Sequence, residues 1–305
     1  MGKIFQITAA TVFVLMFVLM FTDASISGSL DAMSWPSEDA VLIRNFGSNN
    51  NGSPVLGMVF GGGAEILAAE KGEIIFSSSR NDSASRLPSP LGAWTAIDHG
   101  DGLISIYSRY NDTSSDNKLT NQEFPLAYIE KSQPIASSGT SGWSTKNGFY
   151  FVIFDRRERH WINPAMIITP VQRTRPPQIL SVELKNDQGL TQSRILSQGR
   201  YKIFVNTISP PVNPVTGGNF LVPHRIICLI NGSETGALNF EAFSAKDGVL
   251  MVYRNGLVPA KQIYSNAPAY EAAEVFLTRG QVNMEIIVQD LAGESRNFIN
   301  QLFVN

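Results

Sequence analysis

Residues 91–110, LGAWTAIDHGDGLISIYSRY, contain two strand-like runs on either side of a short glycine-rich turn at 99–102. Apolar residues, many of them β-branched or aromatic, alternate with small or polar ones, which is typical of strands. Glycine supplies the backbone freedom that a tight hairpin turn requires. The stretch therefore predicts a β-hairpin with strands at 93–98 and 103–110.

The surrounding sequence, from about residue 40 to residue 172, has the same character. Short β-branched and aromatic segments are separated by Gly, Ser, Asn and Asp turns, and helical periodicity is absent. The segments 66–69 and 73–76 predict a second hairpin, and GFYFVIFD at 148–155 predicts a long strand. These patterns favour an all-β domain over 40–172.

A Pro-rich linker at 173–177 separates this region from a second series of apolar runs, over 178–305. Strands are predicted at 178–185, 200–206, 224–230, 248–254, 273–278, 282–289 and 297–304. Seven or eight short strands in about 130 residues favour an antiparallel β-sandwich. Long loops are predicted at 207–223 and 255–272.

The composition excludes several classes of protein. Of the 305 residues, 43% are hydrophobic and 16% are charged, so a packed core is expected. The formal net charge is −2 and no Lys/Arg run occurs, so we expect no nucleic-acid partner. The only cysteine, Cys228, lies in an apolar run and is predicted to be a buried strand residue, since it has no partner for an internal disulfide.

The first 24 residues predict export. Residues 4–21 are apolar and follow Lys3, as in a signal peptide, and small residues stand near a cleavage site at residue 24. About 18 apolar residues would also just span a bilayer, so an uncleaved anchor is the alternative and would be the only contact with a membrane. Residues 25–39 are predicted to be a linker.

The hairpin at 91–110 resembles the central hairpin of the lysostaphin/LytM-type zinc endopeptidases, which cut bacterial cell-wall cross-links. Further segments resemble those of the family in the same order, namely AEILAAEKGEIIFS at 64–77, QPIASSGTSGWSTKNGFYFVIF at 133–154 and WINPAMI at 161–167. The resemblance implies an all-β fold, with a LytM-like antiparallel β-sheet domain. The ending at 285–305 resembles bacterial immunoglobulin-like domains, which implies an immunoglobulin-like β-sandwich for the second domain.

The resemblance also locates the family's functional positions, and all five are changed. Val55 and Val59 occupy the ligand positions of an H-x-G-x-D motif, and Gly148 and Tyr150 occupy the histidines of H-x-H. Arg109 replaces a catalytic histidine. Valine and glycine offer no ligand atom, and tyrosine ligates only as a phenolate, which is costly near pH 7. We therefore expect no metal, no cofactor and no peptidase activity.

The groove of the family is expected to remain. The candidate binding residues are Val55, Val59, Tyr107, Arg109, Gly148 and Tyr150. Arginine can pair with the carboxylates of cell-wall peptides. The alternative is that the tyrosines are half-buried strand residues and the arginine is simply solvated.

The other residues of possible chemical interest have structural interpretations. His99 is expected to support the hairpin by hydrogen bonds, and His160 is expected in an exposed turn. The tryptophans Trp94, Trp143 and Trp161 are expected mainly in the core.

Three hypotheses of function follow. The first is a non-catalytic envelope protein that binds peptidoglycan or regulates a cell-wall hydrolase. The second is a structural or assembly protein that acts through protein contacts. The third, a minor alternative, is an active zinc endopeptidase with displaced ligands.

Overall fold

Nearly every element of the chain is a β-strand. The computed structural model describes residues 32–78, 89–111, 128–168, 176–191, 195–210 and 221–305. We refer to residues 33–168 as the first half and to residues 176–305 as the second half. The all-β fold class predicted from the sequence is confirmed. The apolar segment 4–21 and residues 25–31 of the predicted linker 25–39 lie outside the described residues. None of the described helices is long and apolar enough to span a membrane.

The strands of the first half are β1 (Val41–Arg44), β2 (Asn49–Asn50), β3 (Ser53–Pro54), β4 (Met58–Gly61), β5 (Glu65–Leu67), β6 (Gly72–Ser77), β7 (Ala93–Asp98), β8 (Leu103–Tyr110), β9 (Tyr128–Ile129), β10 (Pro134–Ser137), β11 (Gly148–Asp155) and β12 (His160–Ile162). A short 3-10 helix, Pro164–Met166, follows β12. The strands β4, β11, β8, β7 and β6 lie side by side in one antiparallel sheet.

The two faces of this sheet differ. One face carries Phe60, Tyr107 and Phe151 and packs against the small β5–β10 sheet in an apolar core. We call the opposite face, which carries Tyr150, the outer face. The hairpin predicted at 93–98 and 103–110 forms with those bounds. The hairpin predicted at 66–69 and 73–76 is wrong, because β5 pairs with β10 whereas β6 pairs with β7 and β9.

The strands of the second half are β13 (Gln178–Asn186), β14 (Gly189–Thr191), β15 (Ile195–Leu196), β16 (Gly199–Ile208), β17 (Arg225–Ile230), β18 (Ser233–Lys246), β19 (Val249–Arg254), β20 (Leu257–Pro259), β21 (Tyr270–Leu277), β22 (Gly280–Gln289) and β23 (Ser295–Val304). A one-turn helix, α1 (Ala260–Ile263), lies between β20 and β21.

Two sheets of the second half pack face to face. One has the order β14-β13-β16-β21, and the other contains β15, β23, β22, β17 and β18. Apolar residues from both sheets fill a common core, which includes Cys228. Cys228 is fully buried in β17, as predicted, and burial raises the pKa of its thiol to about 12.

The longest strand, β18, was not predicted, and it joins the two halves. Its first part pairs with β17 and its last part pairs with β12, so one sheet continues from the first half into the second. Asn163 lies where β17 and β12 meet along β18. Its backbone amide donates to Glu241 O at 2.8 Å, and its side-chain amide donates to Phe240 O at 2.8 Å.

A second junction lies around Asn45. Its side chain donates to the carbonyl of Val222 at 2.8 Å and accepts from the Val222 amide at 2.9 Å. Phe46 is fully buried in the core of the second half, and the Tyr264 hydroxyl donates to the Gly47 carbonyl at 2.6 Å. As a result, residues 33–305 form one compact unit. The proposed division into domains at 173–177 stays a prediction.

The structure also tests the segments predicted to be loops or turns. The segment 255–272, predicted as a loop, contains β20, α1 and the start of β21. Most of the loop predicted at 207–223 lies outside the described residues. His160, predicted in an exposed turn, is instead partly buried as the first residue of β12. Its backbone is drawn into the sheet by pairing with both β11 and β18.

Candidate functional site

Val59, Tyr150 and Ser108 form one cross-strand row on the outer face. Val59 on β4 is the direct partner of Tyr150 on β11, and Tyr150 is the partner of Ser108 on β8. Directly paired residues of an antiparallel sheet point to the same face. The row therefore places Val59 next to Tyr150 on the outer face.

Arg109 joins this row because of a β-bulge. Ala93 pairs with Tyr110 and Trp94 pairs with Ser108, so Arg109 is the extra residue of β8. Its φ of 68° lies in the left-handed region, which costs a non-glycine residue about 1 kcal/mol or more. The bulge directs the guanidinium over the Tyr150 ring, with 5.2 Å between the Arg109 Cζ atom and the ring centroid.

Tyr150 is held as a neutral phenol. Burial raises its pKa to about 12, and its hydroxyl is hydrogen-bonded to the backbone of Leu56. It therefore carries no negative charge near pH 7. Arg109 is half-buried, and its Nε atom is buried without a hydrogen-bond partner among the described residues. No carboxylate in the described part of the chain pairs with it, and it stands next to a neutral ring.

Val55 lies in the loop that binds the Tyr150 hydroxyl. It is 5% exposed, and its backbone bonds to Ser48 and Gly47. Gly57, in the same loop, is required for a steric reason. A Cβ atom there would lie 2.2 Å from the carbonyl oxygen of Phe151, so only glycine lets this loop lie against β11.

Gly148 is closed to any side chain. A Cβ atom would lie 2.1 Å from the carbonyl oxygen of Phe60 on the neighbouring strand. The backbone of Gly148 is also bonded in both directions to Gly139. The space that a side chain at position 148 would need is therefore filled by main chain.

Tyr107 does not face the groove, and its prediction as a binding residue is wrong. It is fully buried on the core side, where its hydroxyl accepts a hydrogen bond from the Ala69 amide at 2.7 Å. The bulge explains the error. Strict alternation would put Tyr107 and Arg109 on one face, whereas the extra residue puts them on opposite faces.

His99 connects the hairpin to the turn after β5. Its Nδ1 donates to the carbonyl of Lys71 at 2.8 Å, and its Nε2 lies 2.7 Å from the Ser105 hydroxyl. Ser105 is in turn hydrogen-bonded to the Tyr107 hydroxyl. The carbonyl of Lys71 can only accept, so the proton of the neutral ring is on Nδ1. Burial lowers the pKa of His99, which favours this neutral form.

Two aromatic residues that were not among the candidate binding residues, Trp94 and Phe76, extend the row. Trp94 is the partner of Ser108, and its ring stacks on Phe76 with 4.0 Å between centroids. Both side chains are partly exposed. Seventeen residues lie between Phe76 and Trp94 in the sequence, so no local pattern predicted this contact. Trp143, expected in the core, is 78% exposed, because it lies in a surface turn.

The described residues contain no group of three or more His, Cys, Asp and Glu side chains that could hold a metal ion. The outer face instead offers a guanidinium, a neutral phenol and a stacked aromatic pair. Such a surface can pair with carboxylates and pack against flat or apolar groups.

Comparisons with known proteins are as follows. A family model without a functional description matches residues 176–305, and no curated protein matches the chain. A chain of the SpoIIQ–SpoIIIAH pore-forming complex is 17% identical, with 47% of this chain and 95% of that chain covered and a TM-score of 0.35. A mutant catalytic domain of the prophage-encoded M23 protein EnpA from Enterococcus faecalis is 18% identical, with 43% and 94% covered and a TM-score of 0.34. Lysostaphin is 16% identical, with 89% and 90% covered and a TM-score of 0.34.

Proposed function

We propose that this chain is a non-catalytic, LytM-like protein of the bacterial envelope that binds carboxylate-bearing cell-wall peptide in the former peptidase groove. In this function it either binds peptidoglycan itself or regulates a cell-wall hydrolase that acts on it. The proposal joins the four sequence segments that resemble the family to the geometry of the outer face.

The observation that carries the proposal is the position of Arg109. Its guanidinium lies over the Tyr150 ring and has no carboxylate partner in the described part of the chain. A half-buried, unpaired guanidinium retains its capacity for a bidentate bond to a carboxylate. Tyr150 orients it without neutralising it, because the phenol is uncharged near pH 7.

The same residues support a non-catalytic function. Val55 and Val59 supply no ligand atom, and a histidine at position 148 would collide with the backbone of Phe60. Tyr150 would have to lose a proton whose pKa is about 12. These features favour binding over hydrolysis.

The test is co-sedimentation of the purified protein with bacterial sacculi. We expect the protein to pellet with sacculi, Arg109→Ala to lose at least about fivefold in affinity, and Arg109→Lys to fall between them, since lysine is a point charge. Arg156→Ala is the matched control, because Arg156 is an exposed arginine of the same half, 3.3 Å from Asp98. Equal binding by all variants, or none by any, would overturn the proposal.

A second candidate function, assembly through protein contacts, is favoured by one observation. In the described residues, β15 pairs only with the last two residues of β23, so residues 295–302 form an edge next to β22. Ile299 is 68% exposed on this edge, and an unpaired strand edge can pair with another chain. Light scattering tests it, because self-association that Ile299→Lys abolishes would favour assembly.

A further inference from the structure

A groove lies on the surface where the two halves share strand β18. Between Asn239 and Phe243, β18 has three residues that do not pair with β19, which is a wide irregularity in the ladder. Over the same residues its other neighbour changes from β17 to β12. Irregularities of this kind redirect side chains away from the sheet pattern, and here the side chain of Glu241 projects to the surface.

The groove has a volume of about 280 Å³ and a lining of mixed character. One wall is the cross-strand row of Tyr253 and Leu257, which are 49% and 57% exposed. The rest of the lining includes Glu241, His160, Ser244 and Asn239. The groove therefore combines an aromatic and aliphatic surface with hydrogen-bonding groups.

The groove offers mainly acceptors. The Glu241 side chain is 50% exposed, and its only ion-pair partner in the described part of the chain is His224, at 3.4 Å. Burial lowers the pKa of His224, so this imidazole is neutral near pH 7 and leaves the carboxylate charge uncompensated. The side-chain oxygen of Asn239 is buried and has no hydrogen-bond partner among the described residues.

We propose that this groove is a binding site for a primary alkylammonium group, such as a lysine side chain presented by a peptide. Glu241 would accept the charge-assisted hydrogen bond, the Tyr253 ring would face the cation, and Leu257 would pack against the methylene chain. Its volume matches one side chain rather than a whole peptide. The site lies outside the former peptidase groove and does not depend on the function proposed for that groove.

The experiment is an NMR titration of the purified protein with N-acetyl-lysine methylamide, with N-acetyl-norleucine methylamide as the uncharged ligand control. We expect a dissociation constant on the order of 1 mM for the lysine probe, as is usual for a ligand of this size. Glu241→Gln should weaken binding at least tenfold. Glu234→Gln is the matched control, because Glu234 is another exposed carboxylate of β18 that pairs with Arg225.

The outcomes separate cleanly. Binding of the lysine probe that Glu241→Gln loses and Glu234→Gln keeps supports the site. A butylammonium titration then distinguishes recognition of the bare amine, which binds equally well, from recognition of a peptide-borne side chain, which binds better. Equal binding of the lysine and norleucine probes, equal effects of the two variants, or no binding would overturn the proposal.

Discussion

Gly148→Ala tests whether the backbone leaves no room for a side chain at position 148. The new Cβ atom would lie 2.1 Å from the Phe60 carbonyl oxygen, about 0.9 Å inside the shortest separation that Cβ atoms normally show. The nearest atoms are main chain, so a change of rotamer cannot relieve the contact. Strand β4 would have to move away from β11, which would disturb their ladder and the stacking of Phe60 on Phe149, now 4.7 Å between centroids.

The expected cost follows from these contacts. Two or three weakened ladder hydrogen bonds at about 1 kcal/mol each, with about 1 kcal/mol of aromatic packing, give a loss of about 3–4 kcal/mol in the free energy of unfolding. Urea unfolding followed by circular dichroism measures it. Gly63→Ala is the control, because its Cβ would meet only Asn147 Nδ2, at 3.6 Å. If Gly148→Ala were no more destabilising than Gly63→Ala, the argument that backbone closes this position would be refuted.

Three further predictions concern stability. Asn163→Ala removes the side-chain amide that donates to the buried carbonyl of Phe240. We expect urea unfolding to show a loss of about 1–3 kcal/mol in the free energy of unfolding, and a loss below about 0.5 kcal/mol would contradict this role. Glu271→Gln removes the anionic partner of Arg254, whose side chain is 9% exposed and lies 2.7 Å from the Glu271 carboxylate. We expect thermal unfolding to show a loss of about 3 kcal/mol in the free energy of unfolding. A loss under about 1 kcal/mol would count against this role of the ion pair. The pKa of His99 is lower in the folded protein than in the unfolded chain. As the pH falls below about 6.5, the unfolded chain therefore binds a proton at His99 more readily than the folded protein does, and the free energy of unfolding should decrease. His99→Gln should show a shallower decline, and an unchanged pH profile would show that His99 is not responsible.

Local pattern was sufficient for much of the sheet. The bounds of β7, β8 and β11 agree with the predictions, because each strand has an apolar, alternating sequence limited by turn residues. Strand β18 was missed because its sequence, SETGALNFEAFSAK, is rich in polar and small residues. It is a strand because β17, β12 and β19 all pair with it, and such long-range pairing overrides local propensity.

The candidate site shows the same limit. The resemblance led to Val59, Tyr150 and Arg109, which lie together on the outer face. The resemblance failed for Tyr107. Because Arg109 is an extra residue in β8, it lies on the opposite face from Tyr107 although the two are only two positions apart. The Trp94–Phe76 stack depends on pairing between β6 and β7, and no local pattern encodes that contact.

The continuous sheet has a mechanical consequence. Since β12 is hydrogen-bonded to β18, and Asn45 is bonded to Val222 across the same boundary, the two halves have no free hinge between them. A pull on one half is transmitted through backbone hydrogen bonds to the other, and the outer face and the sandwich keep a constant separation. The molecule is thus suited to act as a strut, which holds whatever its two ends contact at one distance and in one orientation.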